Sequence, residues 1–102
     1  MINVSVWYPN GVGVRFDMDY YVNSHIPMVR KLLEPALRKA VIEQPLSAVS
    51  PGPEPAFVAG CQLHFDSVEA FQAAFEPHAA AIQDDIANYT NTTPVIQINE
   101  LK

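Results

Sequence analysis

In FDMDYYVNSHIP, residues 16–27, two tyrosines and a histidine precede a proline on a stretch that otherwise reads as an amphipathic helix. Pro27 has no N–H to donate to the carbonyl of Asn23, and it pushes Ile26 away from helical geometry. The sequence therefore predicts a helix break beside His25. An imidazole with an ordinary pKa near ~6.5, held at such a break next to Tyr20 and Tyr21, can pass a proton to or from a bound molecule. The competing reading is a packed histidine whose ring bonds the freed carbonyl. His25 is the candidate catalytic residue.

Six further side chains are candidates for lining a ligand site. Tyr20 and Tyr21 stand about 100° apart on a helix, so one can join the core while the other faces a cleft or solvent. Trp7, on an alternating strand, and Tyr89, after a later helix, carry apolar bodies with polar tips that suit a cavity wall. His64 points out of the apolar face of its strand, and His78 follows Pro77 in a second helix break similar to the one at His25. Each of the six is also explicable as an ordinary structural side chain.

The remaining chemistry-bearing residues carry weaker signals. The three histidines form no His-x-x-x-His pair, and no cysteine and carboxylate cluster stands at ligand spacing. No metal or other cofactor is expected, with haem ligation by a single histidine as the open alternative. GVG at residues 11–13 lacks the further glycine and lysine of a phosphate loop, and no serine sits in a nucleophile elbow. Asp84 and Asp85 read as a solvated helix face. Cys61, the single cysteine, lies in an apolar strand without cationic neighbours, which favours a buried, inert thiol.

Four strands and two helices must position these residues. Ile2–Tyr8 alternates with Ile2, Val4, Val6 and Tyr8 on one face and Asn3, Ser5 and Trp7 on the other. Asp17 is a plausible N-cap for a helix whose stripe runs Tyr21, His25, Met28, Leu32 and which ends near Glu34 or Pro35. A weak alternation over residues 39–44 suggests a second strand, and SPGPEP (50–55) is a loop. Residues 57–65 form the clearest strand. Asp66 with Glu69 resembles a capping box opening a second helix, which Pro77 splits and which ends around Asn88. Residues 94–101 alternate again, with Ile96 and Ile98 on the apolar face.

That order predicts an α+β fold, the ferredoxin-like βαββαβ sandwich with a four-stranded antiparallel sheet, as a single domain over residues 1–102. Both helices would cover one sheet face. The other would expose Trp7, Val58, Gln62, His64, Gln97 and Asn99, too apolar in places to be simply solvated, so a homodimer closing two sheets over a shared cavity is expected. Composition narrows the partners further. A formal charge of −5 disfavours nucleic acid, no apolar run of membrane-spanning length occurs, and one cysteine suits a reducing compartment, so the expectation is a cytoplasmic protein.

YPN, FDMDYYVNSHIPMV, FDSVEAFQAAFEPH and NYTNTTPVIQI together resemble, in order and spacing, the EthD family named for ethyl tert-butyl ether degradation, over essentially the whole chain. The resemblance implies a dimeric α+β barrel and an accessory role in ether or xenobiotic catabolism alongside a monooxygenase system. It carries Tyr20, Tyr21, His25 and His78 over as cleft residues. A small apolar organic ligand in the barrel cleft is the leading functional expectation. The alternatives are a cofactor-independent lyase, isomerase or monooxygenase with a histidine acid or base, and a non-catalytic partner of a monooxygenase.

Overall fold

The computed structural model describes all 102 residues. Strands β1 (Ile2–Pro9), β2 (Lys39–Glu43), β3 (Phe57–Phe65) and β4 (Val95–Glu100) form one antiparallel sheet in the order β2-β3-β1-β4. This is the sheet expected of the ferredoxin-like sandwich. The register puts Val4 opposite Leu63 and Ile98, and Val6 opposite Cys61 and Ile96, so one face is continuously apolar. Period-two alternation sends every second side chain of β1 and β3 to the same side.

The helices pack on that apolar face. Tyr8, Tyr21, Leu33, Phe65, Val4 and Cys61 are the largest fully buried side chains. On the outer face, polar residues satisfy one another: Asn3 donates to Gln62 at 2.9 Å, and Asn99 donates to Asn3 at 3.0 Å and also to Ser5. Trp7 lies flat over Gly60, where an added Cβ would stand 2.3 Å from the indole ring. Only glycine leaves room for that ring.

The first helix departs from expectation. It runs without a break over residues 18–33, as a short α-turn Met18–Tyr20, a π-helical turn Tyr21–His25 and an α-helix Ile26–Leu33. Ile26 keeps helical angles, φ −65° and ψ −40°, and its N–H reaches back to the carbonyl of Tyr21. The wider turn takes up the ring that would otherwise crowd the carbonyl four residues back, and Pro27 falls in the first turn of the following α-helix, where a missing N–H costs little. Pro27 therefore re-phases the helix instead of ending it.

Re-phasing changes which side chains face the sheet. The buried positions are Tyr21, His25, Ile26, Val29 and Leu33, whereas Met28 and Leu32 of the expected stripe are only half-buried. One extra residue in the turn shifts everything downstream by about 100°. Asp17 is the N-cap as expected, accepting from Tyr20 N–H at 3.0 Å.

The second helical segment begins one residue later than the capping-box reading placed it. Ser67 is the N-cap, accepting from Ala70 N–H at 3.0 Å, while Asp66 pairs with Arg38 at 2.8 Å on the surface. The segment runs as Val68–Phe75, a 3₁₀ turn Glu76–His78 at Pro77, Ala79–Asp84 and a 3₁₀ turn Ile86–Asn88. No helix is long and apolar enough to cross a membrane.

Candidate active site

The site is built from the π-turn. By pushing His25 and Ile26 both to the inner side, it leaves the imidazole 3% exposed among apolar neighbours, a position a regular helix would give to only one of them. A buried imidazole needs a partner, and the second helical segment supplies one. Asp85 Oδ2 lies 2.9 Å from His25 Nδ1. The carboxylate also accepts from Tyr20 O–H at 2.7 Å and from Asn88 Nδ2 at 2.9 Å, both through Oδ1.

The charge states follow from these contacts. Burial pushes the Asp85 carboxyl up, but hydrogen bonds from Asn88, Tyr20 and His25 outweigh it and hold the group below its usual range. Asp85 is therefore an anion at neutral pH and can only accept, so His25 Nδ1 carries the hydrogen. Burial lowers the His25 pKa below its ordinary value, and the hydrogen bond and charge of Asp85 offset that only in part. The ring is a neutral imidazole at pH 7. Its Nε2 has no protein partner and keeps its lone pair.

A cavity of about 140 Å³ opens beside this ring, between the sheet and both helical segments. Its walls are overwhelmingly apolar: Val4, Val6 and Leu63 from the sheet, Val29 and Leu33 from the first helix, Phe71, Phe75, Ile82 and Ile86 from the second. Tyr8, Tyr21, His25, Cys61 and Gln83 are the wall residues with polar atoms. Pro94 and Ile96 border it at β4, where Ile96 is 53% exposed. The ratio of many apolar walls to few polar groups is that of a small-molecule site.

Behind His25 stands an aromatic cluster. Tyr21 stacks nearly parallel on the imidazole, centroids 5.6 Å apart at 13°, and Tyr89 tilts against it at 4.6 Å. Tyr8 and Tyr89 share a hydrogen bond between hydroxyls at 2.6 Å. The Tyr21 hydroxyl is fully buried without a partner, beside Cys61 and Tyr8. An unmade hydrogen bond in such a place costs about 1–3 kcal/mol. Burial raises the Tyr8 phenol to about 12 and the Cys61 thiol to about 11, and raises Tyr21 and Tyr89 further, so all four are protonated at neutral pH.

The chain segment after the second helix fixes Tyr89 in place. Asp17 N–H donates to the carbonyl of Tyr89 at 2.8 Å, Phe16 and Thr90 form an isolated β-bridge, and Thr90 Oγ1 donates to the carbonyl of Arg15 at 2.6 Å. Asn91 spans the same gap, accepting from Arg15 N–H at 2.9 Å and donating to the carbonyl of Gly13 at 3.0 Å. Gly13 has φ +79°, which an L side chain rarely adopts.

Of the side chains singled out in the sequence, the structure brings Tyr20, Tyr21, His25 and Tyr89 together. Trp7 and His64 lie on the other face of the sheet, where His64 stands opposite Asn3 and Lys39, because both alternate with the residues that face the cavity. His78 sits half-buried in the 3₁₀ turn at Pro77, away from the cavity wall. His25 bonds a carboxylate, not a freed carbonyl. Asp85, read as a solvated face, is the anchor of the cluster, and Tyr8 and Cys61 join it from the sheet. The signal for Asp85 lay in its spacing: it stands three residues after Ile82 and four before Tyr89, on the apolar side of its segment, whereas Asp84 is exposed.

Comparison with known proteins places the chain. No curated protein matches it. A crystal structure of an EthD-like protein from Ralstonia eutropha JMP134 superposes with TM-score 0.91 at 46% identity, covering 97% of this chain and 89% of that one. An ethyl tert-butyl ether (EthD) family protein from Bacillus halodurans C-125 shares the fold, with TM-score 0.76, 22% identity and coverage of 100% and 99%. HapK from Hahella chejuensis also shares it, with TM-score 0.60, 12% identity and coverage of 98% and 92%. The model of the EthD domain matches residues 10–93, which contain His25, Asp85 and the three tyrosines Tyr20, Tyr21 and Tyr89. The chain belongs to the EthD family.

Proposed function

We propose that this EthD-family chain binds a small, largely apolar organic molecule in the cavity between sheet and helices and moves a proton on it with His25. The observation that carries this reading is the His25–Asp85 pair at the wall of an otherwise apolar cavity. Asp85 fixes the ring and its tautomer, and the opposite nitrogen is left as a base. A base works best when its pKa lies near the operating pH, and a neutral, partly desolvated imidazole meets that condition. Tyr20 steadies Asp85 from the solvent side and acts through it as a positioning residue.

Ether or xenobiotic catabolism is the setting we assign, supported by family membership and by the relative named for ethyl tert-butyl ether. The protein works as a homodimer, supported by the half-buried Trp7 and Val58 on the outer sheet face and by three exposed apolar residues, Val95, Ile96 and Ile98, on edge strand β4. The test is a screen of small ethers, alcohols, ketones and lactones for saturable binding and turnover. His25→Gln is expected to leave binding within a few-fold and to lower turnover by ~10²- to 10⁴-fold. A rate unchanged in that variant would eliminate His25 as the base. Saturable binding with no turnover by the wild type would favour the reading as a non-catalytic partner that delivers ligand to a monooxygenase.

A further inference from the structure

A molecule that fills the cavity strands one polar atom of its wall, and that atom is His25 Nε2. Tyr21 and Tyr89 cover the faces of the ring and Nδ1 is spent on Asp85, so the edge that His25 gives to the cavity wall carries Nε2. That nitrogen has no protein partner, yet it is not sealed, since the Tyr21 hydroxyl is the one buried side-chain polar atom left without a partner. With the hydrogen on Nδ1, Nε2 can accept a hydrogen bond and cannot donate one.

The other polar wall residues make no such demand. The Tyr8 hydroxyl is paired with that of Tyr89, and the Tyr21 hydroxyl has no surface open to the cavity. The Cys61 thiol is a weak donor on a buried residue. Gln83 is exposed, so its amide stays hydrated when the cavity is filled.

A ligand that excludes water from Nε2 and brings no donor leaves a buried acceptor unpaired, which costs more than a hydrogen bond made there gains. Resting on the reading of the cavity as a ligand site with His25 as its base, we infer that the ligand is a compact, neutral hydroxyl compound, an alcohol or phenol, whose O–H donates to His25 Nε2. Ethers, ketones and lactones carry acceptors only and meet this nitrogen with a lone pair or with apolar atoms. An ammonium or a carboxylate loses its hydration among apolar walls, and a carboxylate also approaches the Asp85 anion. The size agrees: a dry apolar cavity of about 150 Å³ accepts benzene, so a single six-membered ring fills this one. The hydrogen within reach of the base is then the one on the hydroxyl, not one on carbon.

The probes are cyclohexanol and cyclohexanone, rings of one size that differ in whether the oxygen carries a hydrogen. The wild type should bind the alcohol roughly tenfold more tightly than the ketone. His25→Phe, which keeps a flat ring and removes the acceptor, should level the two affinities while holding that for the ketone within a few-fold. In the wild type, saturation with cyclohexanol should move the Nε2 resonance to lower frequency, as accepting a hydrogen bond does, and cyclohexanone should not; that measurement decides the matter even where the variant fails to fold. Equal affinities in the wild type, an alcohol preference that survives in folded His25→Phe, or an Nε2 resonance that answers both probes alike overturns the hydroxyl assignment and leaves small-molecule binding standing. Failure of both probes to bind overturns the assignment and the cavity reading together.

Discussion

Asp85 shows how one side chain sets the state of another. Its carboxylate takes three hydrogen bonds and stays ionised, which fixes the hydrogen of His25 on Nδ1. Asp85→Asn keeps the shape and removes the charge. The His25 midpoint, already below the ordinary value, should then fall further in an NMR titration, and turnover should drop by ~10²-fold or more as the tautomer loses its hold. Folding responds to the same shift. Because folding favours the neutral ring, the unfolded chain binds an extra proton below pH ~6.5, so stability should decline as pH falls from there toward the folded midpoint. His25→Gln should flatten that part of the profile in a urea titration at several pH values. His25 was legible because a histidine beside a proline in an apolar stripe is locally odd. Its partner lies 60 residues away, and that distance hides a pairing from any local pattern.

At the scale of elements, alternation revealed the strands well because the side chains of β1 and β3 alternate between an apolar face under the helices and a largely polar outer face. Helix phasing was less legible. A proline at residue 27 is compatible with a break or with a wider turn, and only the packing of Tyr21 and Ile26 against the sheet chooses the turn. Capping was ambiguous for a similar reason, since Asp66 and Ser67 are both good caps and the Arg38 contact draws Asp66 outward. Ser67→Ala should cost about 1 kcal/mol in denaturant unfolding, within the ~0.5–2 kcal/mol seen for lost N-caps. Asp66→Ala should cost less, because a solvent-exposed ion pair is screened by water and salt and contributes little. The opposite ranking would return the cap to Asp66.

For the whole molecule, the sheet separates two environments. One face closes on the helices and holds the cavity, while the other presents a hydrogen-bonded polar ladder with Trp7 at one end. The family motifs drew attention to both ends of the chain because FDMDYY and NYTN are tied together by Asp17, Phe16, Thr90 and Asn91, a relation their separation in sequence conceals. The proposed homodimer is expected to sediment at twice the protomer mass and, on dilution, to dissociate with a red shift of the Trp7 emission. A chain that sediments as a monomer at every concentration would count against it.

The central claim is that His25 is a neutral base facing a ligand cavity, and an NMR titration of its ring nitrogens, with and without a saturating ligand from the screen of small ethers, alcohols, ketones and lactones, tests it most directly. The prediction is a hydrogen on Nδ1 at neutral pH, a midpoint below the ordinary imidazole value, and an Nε2 resonance that moves saturably with that ligand. A midpoint at or above the ordinary imidazole value, with both nitrogens indifferent to every compound of the screen, would contradict it.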